Sequence, residues 1–188
     1  MIKKFLNFFR ARFRKIILEE KWLDDYIKMG MKVGENCRIR ADVTIDYSHC
    51  WLIRIGNNVS ISHQSYLLAH DASTKKLKDF HYTKIGSITI EDNVFIGVRA
   101  IIMPGVTIGK NSIVAAGSVV TKSIPENSIV AGNLAKVIST IDNYREKTNS
   151  MLNSTAIYDK DFTITGNISE QNKEKMYEEL HDRIGFIV

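Results

Sequence analysis

Cysteine and proline are scarce, with two of each in 188 residues. Two cysteines cannot build the disulfide framework of a small secreted domain, which points to a reducing, cytoplasmic setting and a fold held by packing. No apolar run approaches the ~18 residues of a membrane span. The opening stretch MIKKFLNFFRARFRK has neither an uninterrupted apolar segment nor a small-residue cleavage site, so no signal peptide is expected. Charge of one sign is also modest: 26 Lys and Arg stand against 21 Asp and Glu, a formal net charge of +5. That balance lacks the basic footprint of a nucleic-acid binder and suits a polyanionic small molecule or a membrane surface. With 44% hydrophobic and 25% charged residues, wholesale disorder is excluded.

The first segment, residues 1–30, reads as an amphipathic helix. Phe5, Phe8, Phe9, Phe13, Ile16, Ile17, Trp22, Leu23 and Ile27 recur at helical spacings, and Lys3, Lys4, Arg10, Arg12, Arg14 and Lys15 make its beginning basic. Such a helix either packs its aromatic face on protein or lies peripherally on an anionic bilayer.

From residue 33 the period changes. Ile90, Ile96, Ile102, Ile108, Val114 and Val120 follow one another at intervals of six, and Val94, Ala100, Val106, Ser112 and Ser118 stand four residues after successive members. Asn93, Gly105, Asn111 and Gly117 fall between them, residue types that tolerate positive φ at a corner. Val33, Ile39 and Ile45, then Ile55, Ile61 and Leu67, obey the same rule, with a four-residue slip between the triplets. A helix cannot carry this pattern, because every sixth residue walks around its circumference. Short parallel strands joined by corners can. Three hexads close one triangular coil, stacked coils merge their aliphatics into one core, and each coil's backbone pairs with its neighbours. The predicted fold is a mainly β, parallel β-solenoid over residues 31–138.

The stretch SITIEDNVFIGVRAIIMPGVTIGKNSIVAAGSVVTKSIPENSIVAGNLAKVI, residues 87–138, resembles the hexapeptide-repeat acyltransferases, above all the maltose, galactoside, capsule and O-antigen O-acetyltransferases. The resemblance implies a left-handed β-helix, a hand that periodicity alone does not supply. It also implies acetyl-CoA as co-substrate, a saccharide acceptor and a homotrimer.

The repeat breaks between Leu67 and Ile90, where a polar loop at about residues 69–84 leaves the coil with His70-Asp71 at its root. In the resembling family a histidine base stands at this position, so His70 is the candidate. Imidazole suits the removal of a proton from a sugar hydroxyl near neutral pH, and backbone N–H groups would meet the developing oxyanion. Asp71 either orients His70 or caps the loop, and His63, His81 and His49 are competing histidines, His49 read most simply as packing. No metal site is expected, because the histidines lack a recurrent spacing, and Cys37 and Cys50 read as structural.

Position by position, the resemblance places Phe95 at the thiol end of the cofactor. It places Val98, Ala116, Thr121 and Lys122 along the pantetheine and phosphates, and Lys136 at the nucleotide phosphates. This chain departs from the family pattern at Leu134, where proline is common, and at Ser139, where arginine is common, which implies weaker CoA binding. Asp42, Asp46 and Tyr82 are the candidate acceptor contacts. Residues 139–188 read as a helical extension, with Ser169 as a helix N-cap. The leading functional reading is an O-acetyltransferase, with an N-acetyltransferase acting on an amino sugar, or a non-catalytic scaffold of the same fold, as alternatives.

Overall fold

Every sixth residue of the periodic stretch turns inward. In the computed structural model, which describes residues 21–188, the hexads form three parallel sheets that face one another as the sides of a prism. The first sheet stacks Lys32–Val33, Ile53–Ile55, Ile88–Ile90 and Thr107–Ile108. The second stacks Arg38–Ile39, Ser60–Ile61, Phe95–Ile96, Ile113–Val114 and Ser128–Ala131; the third stacks Thr44–Ile45, Tyr66–Leu67, Ile101–Ile102 and Val119–Val120. Register is strict. Ile45, Leu67, Ile102 and Val120 are successive partners in the third sheet, and Ile39, Ile61, Ile96, Val114 and Val130 in the second.

These inward residues are the core. Ile61, Leu67, Ile90, Ile96, Ile102, Ile108, Val114 and Val120 are all essentially inaccessible, and each such aliphatic contributes about 1.5–3 kcal/mol relative to exposure. The small residues four places on, Val94, Ala100 and Val106, fill the prism's edges, and Ser65, Ser112 and Ser118 are buried there with their hydroxyls bonded to backbone groups of the adjacent coil.

The corner between the first and second sheets repeats one residue type. Asn36, Asn58, Asn93, Asn111 and Asn127 occupy equivalent places with φ between 55° and 58°, a left-handed conformation that asparagine tolerates better than most residues. Asn93 Nδ2 donates to Asn111 Oδ1 (3.1 Å) and Asn111 Nδ2 to Asn127 Oδ1 (3.0 Å), linking coil to coil. At the far end the chain reverses, and Lys136–Thr140 pairs antiparallel with Ser128–Ala131.

Helix α1, Leu23–Lys28, precedes the first coil, with the Asp25 carboxylate accepting from the Trp22 N–H. The helical reading of residues 1–20 lies outside the described residues. Among the described residues no helix is long and apolar enough to cross a membrane.

The chain divides into two units after Ile141. The second contains nearly all of helix α2, Ile141–Leu152, and helix α3, Glu170–Leu180, which Ser169 caps by accepting from the Asn172 N–H. A short parallel pair, Ile157–Tyr158 with Phe186–Ile187, buries Tyr158, whose hydroxyl donates to Glu179 Oε2 at 2.8 Å.

Candidate active site

The solenoid departs from its hexads three times, each at the corner between the third and first sheets: two insertions, and a shortening between Val120 and Ile124 that brings Ile124 beside Ile108. In the first coil the slip adds residues after Ile45, which wind into the 3₁₀ segment Tyr47–Leu52. Asp46 starts it by accepting from the Ser48 N–H at 3.1 Å. His49 breaks the helical geometry (φ −141°, ψ 30°), while Cys50 and Ile53 turn fully into the core. In the second coil the polar loop leaves after Ala69, its root closed by an antiparallel pairing of His70–Asp71 with Lys84–Ile85. Because Ile45 and Leu67 are register partners, the two irregular segments lie side by side.

Their polar residues meet there. His70 Nδ1 lies 2.5 Å from Asp46 Oδ2. Ser48 Oγ lies 2.9 Å from Asp46 Oδ1, 2.9 Å from His49 Nδ1 and 3.3 Å from His70 Nδ1. The Asp46 side chain is only 1% exposed, that of His70 38%. A carboxylate so deeply placed is tolerable only when its oxygens are bonded. Burial alone would raise its pKa, but the hydrogen bonds from His70 and Ser48 outweigh burial and hold it below the usual range.

Proton positions follow from this network. An ionised carboxylate only accepts, so His70 donates from Nδ1, and in the neutral ring the lone pair is then on Nε2. Ser48 spends its proton on Asp46, so His49 donates from Nδ1 to Ser48 Oγ. The arrangement pre-sets one histidine as a proton acceptor. Asp46, His49 and His70 also bring ligand-type atoms within 4.8 Å of one another. The Ser48 hydroxyl stands among them, within hydrogen-bond distance of all three at 2.9–3.3 Å. The cluster is built around a hydroxyl by hydrogen bonding.

The competing histidines are placed differently. His63 Nδ1 pairs with Asp42 at 2.9 Å, and Arg40 Nε donates to His63 Nε2 at 2.9 Å, so both ring nitrogens are engaged and neither offers a free lone pair. The hydrogen bond from His63 holds Asp42 below its usual pKa. Asp71 binds Lys84 Nζ at 2.5 Å and the Ser73 N–H at 2.9 Å. These two contacts, Lys84 foremost, push its carboxyl well down. Asp71 is therefore the loop cap, and the acid that orients His70 is Asp46.

This corrects one expectation. Asp46 does not line an acceptor cleft, because its carboxylate has no free surface. The other two acceptor candidates also serve other contacts: Asp42 holds His63, and Tyr82 sits in the loop with its ring edge-on to Phe80 and its carbonyl accepting from Thr74.

The candidate cofactor residues separate into two groups. Phe95 stands outward on the second sheet between Ser60 and Ile113. Val98 and Ala116 stack at the corner that follows it, where the Gly117 N–H donates to the Val98 carbonyl, and Lys136 pairs across from Ala131. Thr121 and Lys122 follow Val119–Val120 on the opposite edge of the third sheet, the corner that also carries Asp46 and His70. All six side chains are solvent-accessible, as a long flexible ligand requires. One chain does not bring the two groups together.

Sequence reasoning missed Ser48 and the partnership of Asp46 with His70, and read His49 as packing. The available signal was positional. Asp46 and Leu68 each follow an equivalent hexad residue, so counting hexads puts Asp46 and His70 at one corner of neighbouring coils.

Comparison with known proteins agrees with the repeat fold. Residues 87–122 match the family model described as hexapeptide repeat of succinyl-transferase. Protein CapG of Staphylococcus aureus is 40% identical over 143 residues, covering 72% of this chain and 80% of that one. YvoF of Bacillus subtilis (strain 168), named as an inferred acetyltransferase, is 31% identical over 147 residues, covering 78% and 81%. Among solved structures, a hexapeptide-repeat-containing acetyltransferase of Vibrio cholerae, complexed with acetyl coenzyme A, matches at TM-score 0.53 and 30% identity, over 59% of this chain and 60% of that one. A maltose O-acetyltransferase of Clostridium difficile 630 matches at TM-score 0.51 and 28% identity, over 62% and 73%.

Proposed function

From the premise that this chain belongs to the hexapeptide-repeat acetyltransferases, we propose that it transfers an acetyl group from acetyl-CoA directly to a hydroxyl of a saccharide, with His70 as general base. The observation that carries the reading is the 2.5 Å contact of His70 Nδ1 with the buried Asp46 carboxylate. In the neutral ring that contact leaves the lone pair on Nε2, as proton removal from an incoming hydroxyl demands.

Each residue then has a task. The acceptor hydroxyl meets His70 Nε2, which takes its proton as the oxygen becomes nucleophilic. Asp46 keeps the ring in the productive tautomer and stabilises the imidazolium that forms, the role of the third group in acyl-transfer triads. Ser48 holds the second oxygen of Asp46, so the carboxylate cannot rotate away. Acetyl-CoA, when bound, supplies the activated acyl carbon.

The chain's surface fits such a co-substrate chemically. Exposed Val98 and Ala116 leave backbone accessible at the edge of the second sheet for an amide-rich arm, Phe95 offers an apolar face, and Lys122, Lys136 and Thr121 offer cationic and hydroxyl contacts for phosphates. Since these residues occupy opposite edges of the third sheet, a complete groove takes one edge from each of two copies. The family likeness favours a left-handed coil, and the divided groove favours a homotrimer with its sites between neighbours. Asp42 and Tyr82 then remain as acceptor contacts at the rim. The enzyme works in the cytoplasm, and the basic residues 1–20 hold it peripherally to an anionic membrane face. Loss of vesicle binding on their removal tests that placement, and unchanged binding would dispose of it.

The decisive assay is thiol release from acetyl-CoA against a panel of sugars and nucleotide sugars. One acceptor should accelerate release, and His70→Ala should lose at least ~100-fold. Activity that survives in that variant would remove His70 from the mechanism.

A further inference from the structure

The inserted corner exposes two aromatic side chains, Tyr47 at 54% and Trp51 at 53%. Scattered exposed aromatics need no explanation, but Trp51 is neither scattered nor loose. Its chain neighbour Cys50 is wholly buried beneath α1, and Gly30 passes so close that a Cβ there would lie 3.1 Å from the Trp51 Cβ. The indole also belongs to a series. The Trp51 and His49 rings lie 5.5 Å apart at 49°, and the His49 and His70 rings 5.3 Å apart at 44°. His49 is held in turn by Ser48. Three fixed rings thus form a wall that runs from an apolar indole to the proposed base.

We propose that Trp51 and His49 are the acceptor platform, and that the acceptor is a saccharide of at least two linked rings. One sugar ring lies with its C–H face on Trp51, and the ring next to it crosses His49 and presents a hydroxyl to His70 Nε2. The identification of His70 as the base rests on the transferase reading; the platform itself rests on the ring geometry.

The chemistry selects this class of ligand. A pyranose has a flat C–H face and a hydroxyl rim. The indole takes the face by dispersion, while the rim meets the polar edge of His49 and the hydroxyl of Ser48. Binding sites commonly combine an apolar floor with a few fixed polar groups in this way. An amino acid or a short alcohol has no face to match the indole. Two ring-to-ring steps separate Trp51 from His70, so a single sugar covers one end of the wall and a disaccharide covers both. Trp51 therefore sets acceptor length.

The sequence contains two tryptophans, so Trp22→Phe leaves Trp51 as the sole indole reporter. Its emission is followed while maltose, lactose and N,N′-diacetylchitobiose are added, each beside its monosaccharide. At least one disaccharide should perturb the emission saturably, and more strongly than its monosaccharide. Saturation-transfer NMR from the aromatic protons of the unmutated chain reports the same contact without the substitution. With the responding sugar as acceptor, Trp51→Ala should raise acceptor KM by about tenfold or more while the KM for acetyl-CoA holds, and Trp51→Phe should retain most of the affinity.

Emission and NMR signals indifferent to all these sugars would overturn the platform, as would an unchanged acceptor KM in Trp51→Ala. A Trp51→Ala variant whose oligomer size changes while KM holds would give the ring to a contact between copies, which also overturns it. Failure of the transferase reading looks different. Sugar binding at Trp51 without acetyl transfer refutes the transferase and keeps the platform, whereas transfer without a Trp51 response refutes the platform alone.

Discussion

The regular coils from Ile88 to Val120 and the irregular corner made by residues 46–52 and 70–85 are built on opposite rules. In the coils each residue type recurs, and a given inward aliphatic has an equivalent above and below it. At the corner nothing recurs. Asp46, Ser48, His49 and His70 occur once each and depend on one another. Redundancy supplies stability because stacked coils sum their contacts. Singularity supplies chemistry, because a repeated environment cannot hold one histidine in a state different from its neighbours. The corner is affordable because the coils on either side keep their register through it: Ile45 still pairs with Leu67, and Ile55 with Ile90.

If the two regions divide labour in this way, substitutions should separate activity from stability. The largest expected effect is on chemistry. His70→Ala should lower transfer by ~100-fold or more while circular dichroism stays near that of the parent; leaving one oxygen of the buried Asp46 carboxylate unpaired should cost about 1–3 kcal/mol, and a much larger loss of stability would mean that the corner is also structural. The converse change is Ile102→Ala in the regular stack. It should cost about 2–5 kcal/mol of unfolding free energy, read by denaturant titration, with activity per folded molecule retained. Asp46→Asn crosses the boundary between the regions. Loss of a charge-assisted hydrogen bond worth about 1.5–3 kcal/mol should lower kcat by about 10- to 100-fold, with little change in acetyl-CoA KM.

Two smaller effects sharpen the comparison. Asn111→Ala puts a Cβ-bearing residue without asparagine's tolerance at φ 56°, at a cost of about 1–2 kcal/mol. Asn111→Gly should be milder, and neither should alter kcat. The smallest effect concerns acid. The folded-state pKa of Asp46 is lowered, so the unfolded chain binds its proton at higher pH than the folded chain does. This contribution to stability is complete above the ordinary aspartate value of about 3.9 and is lost as pH falls through the lower folded value. Melting temperatures across that window should drop less steeply in Asp46→Asn than in the parent.

Much of the solenoid was legible because its signal is local. Whether Ile96 or Val114 faces inward follows from a spacing of six and from the small residues between, and no distant contact has to be known. His70 was legible as a candidate by resemblance and by its place at the root of a loop. Its partner was not, because Asp46 lies 24 residues away and the contact exists only once two coils are stacked and the slip is assigned to a particular corner. Asp46 therefore read as an acceptor contact, its carboxylate type being visible and its burial not. His49 read as packing for the same reason. Its ring does pack, against Trp51 and His70, and its Nδ1 also joins the Ser48 network at the candidate site. The division of the cofactor residues between two edges followed from face assignment, which a motif match does not contain.

The asparagine corner has a mechanical consequence. Backbone bonds between coils act much like the teeth of a zip, each able to open after its neighbour. The amide links from Asn93 through Asn111 to Asn127 add a stitched seam along one edge of the prism. A pull along the axis loads that seam at several coils together, and the edge between the second and third sheets has its own links, Asp42 to His63 and Gln64 to Arg99. The two seams meet at the third coil, which carries both Arg99 and Asn93, so side-chain links run coil to coil from Asp42 to Asn127.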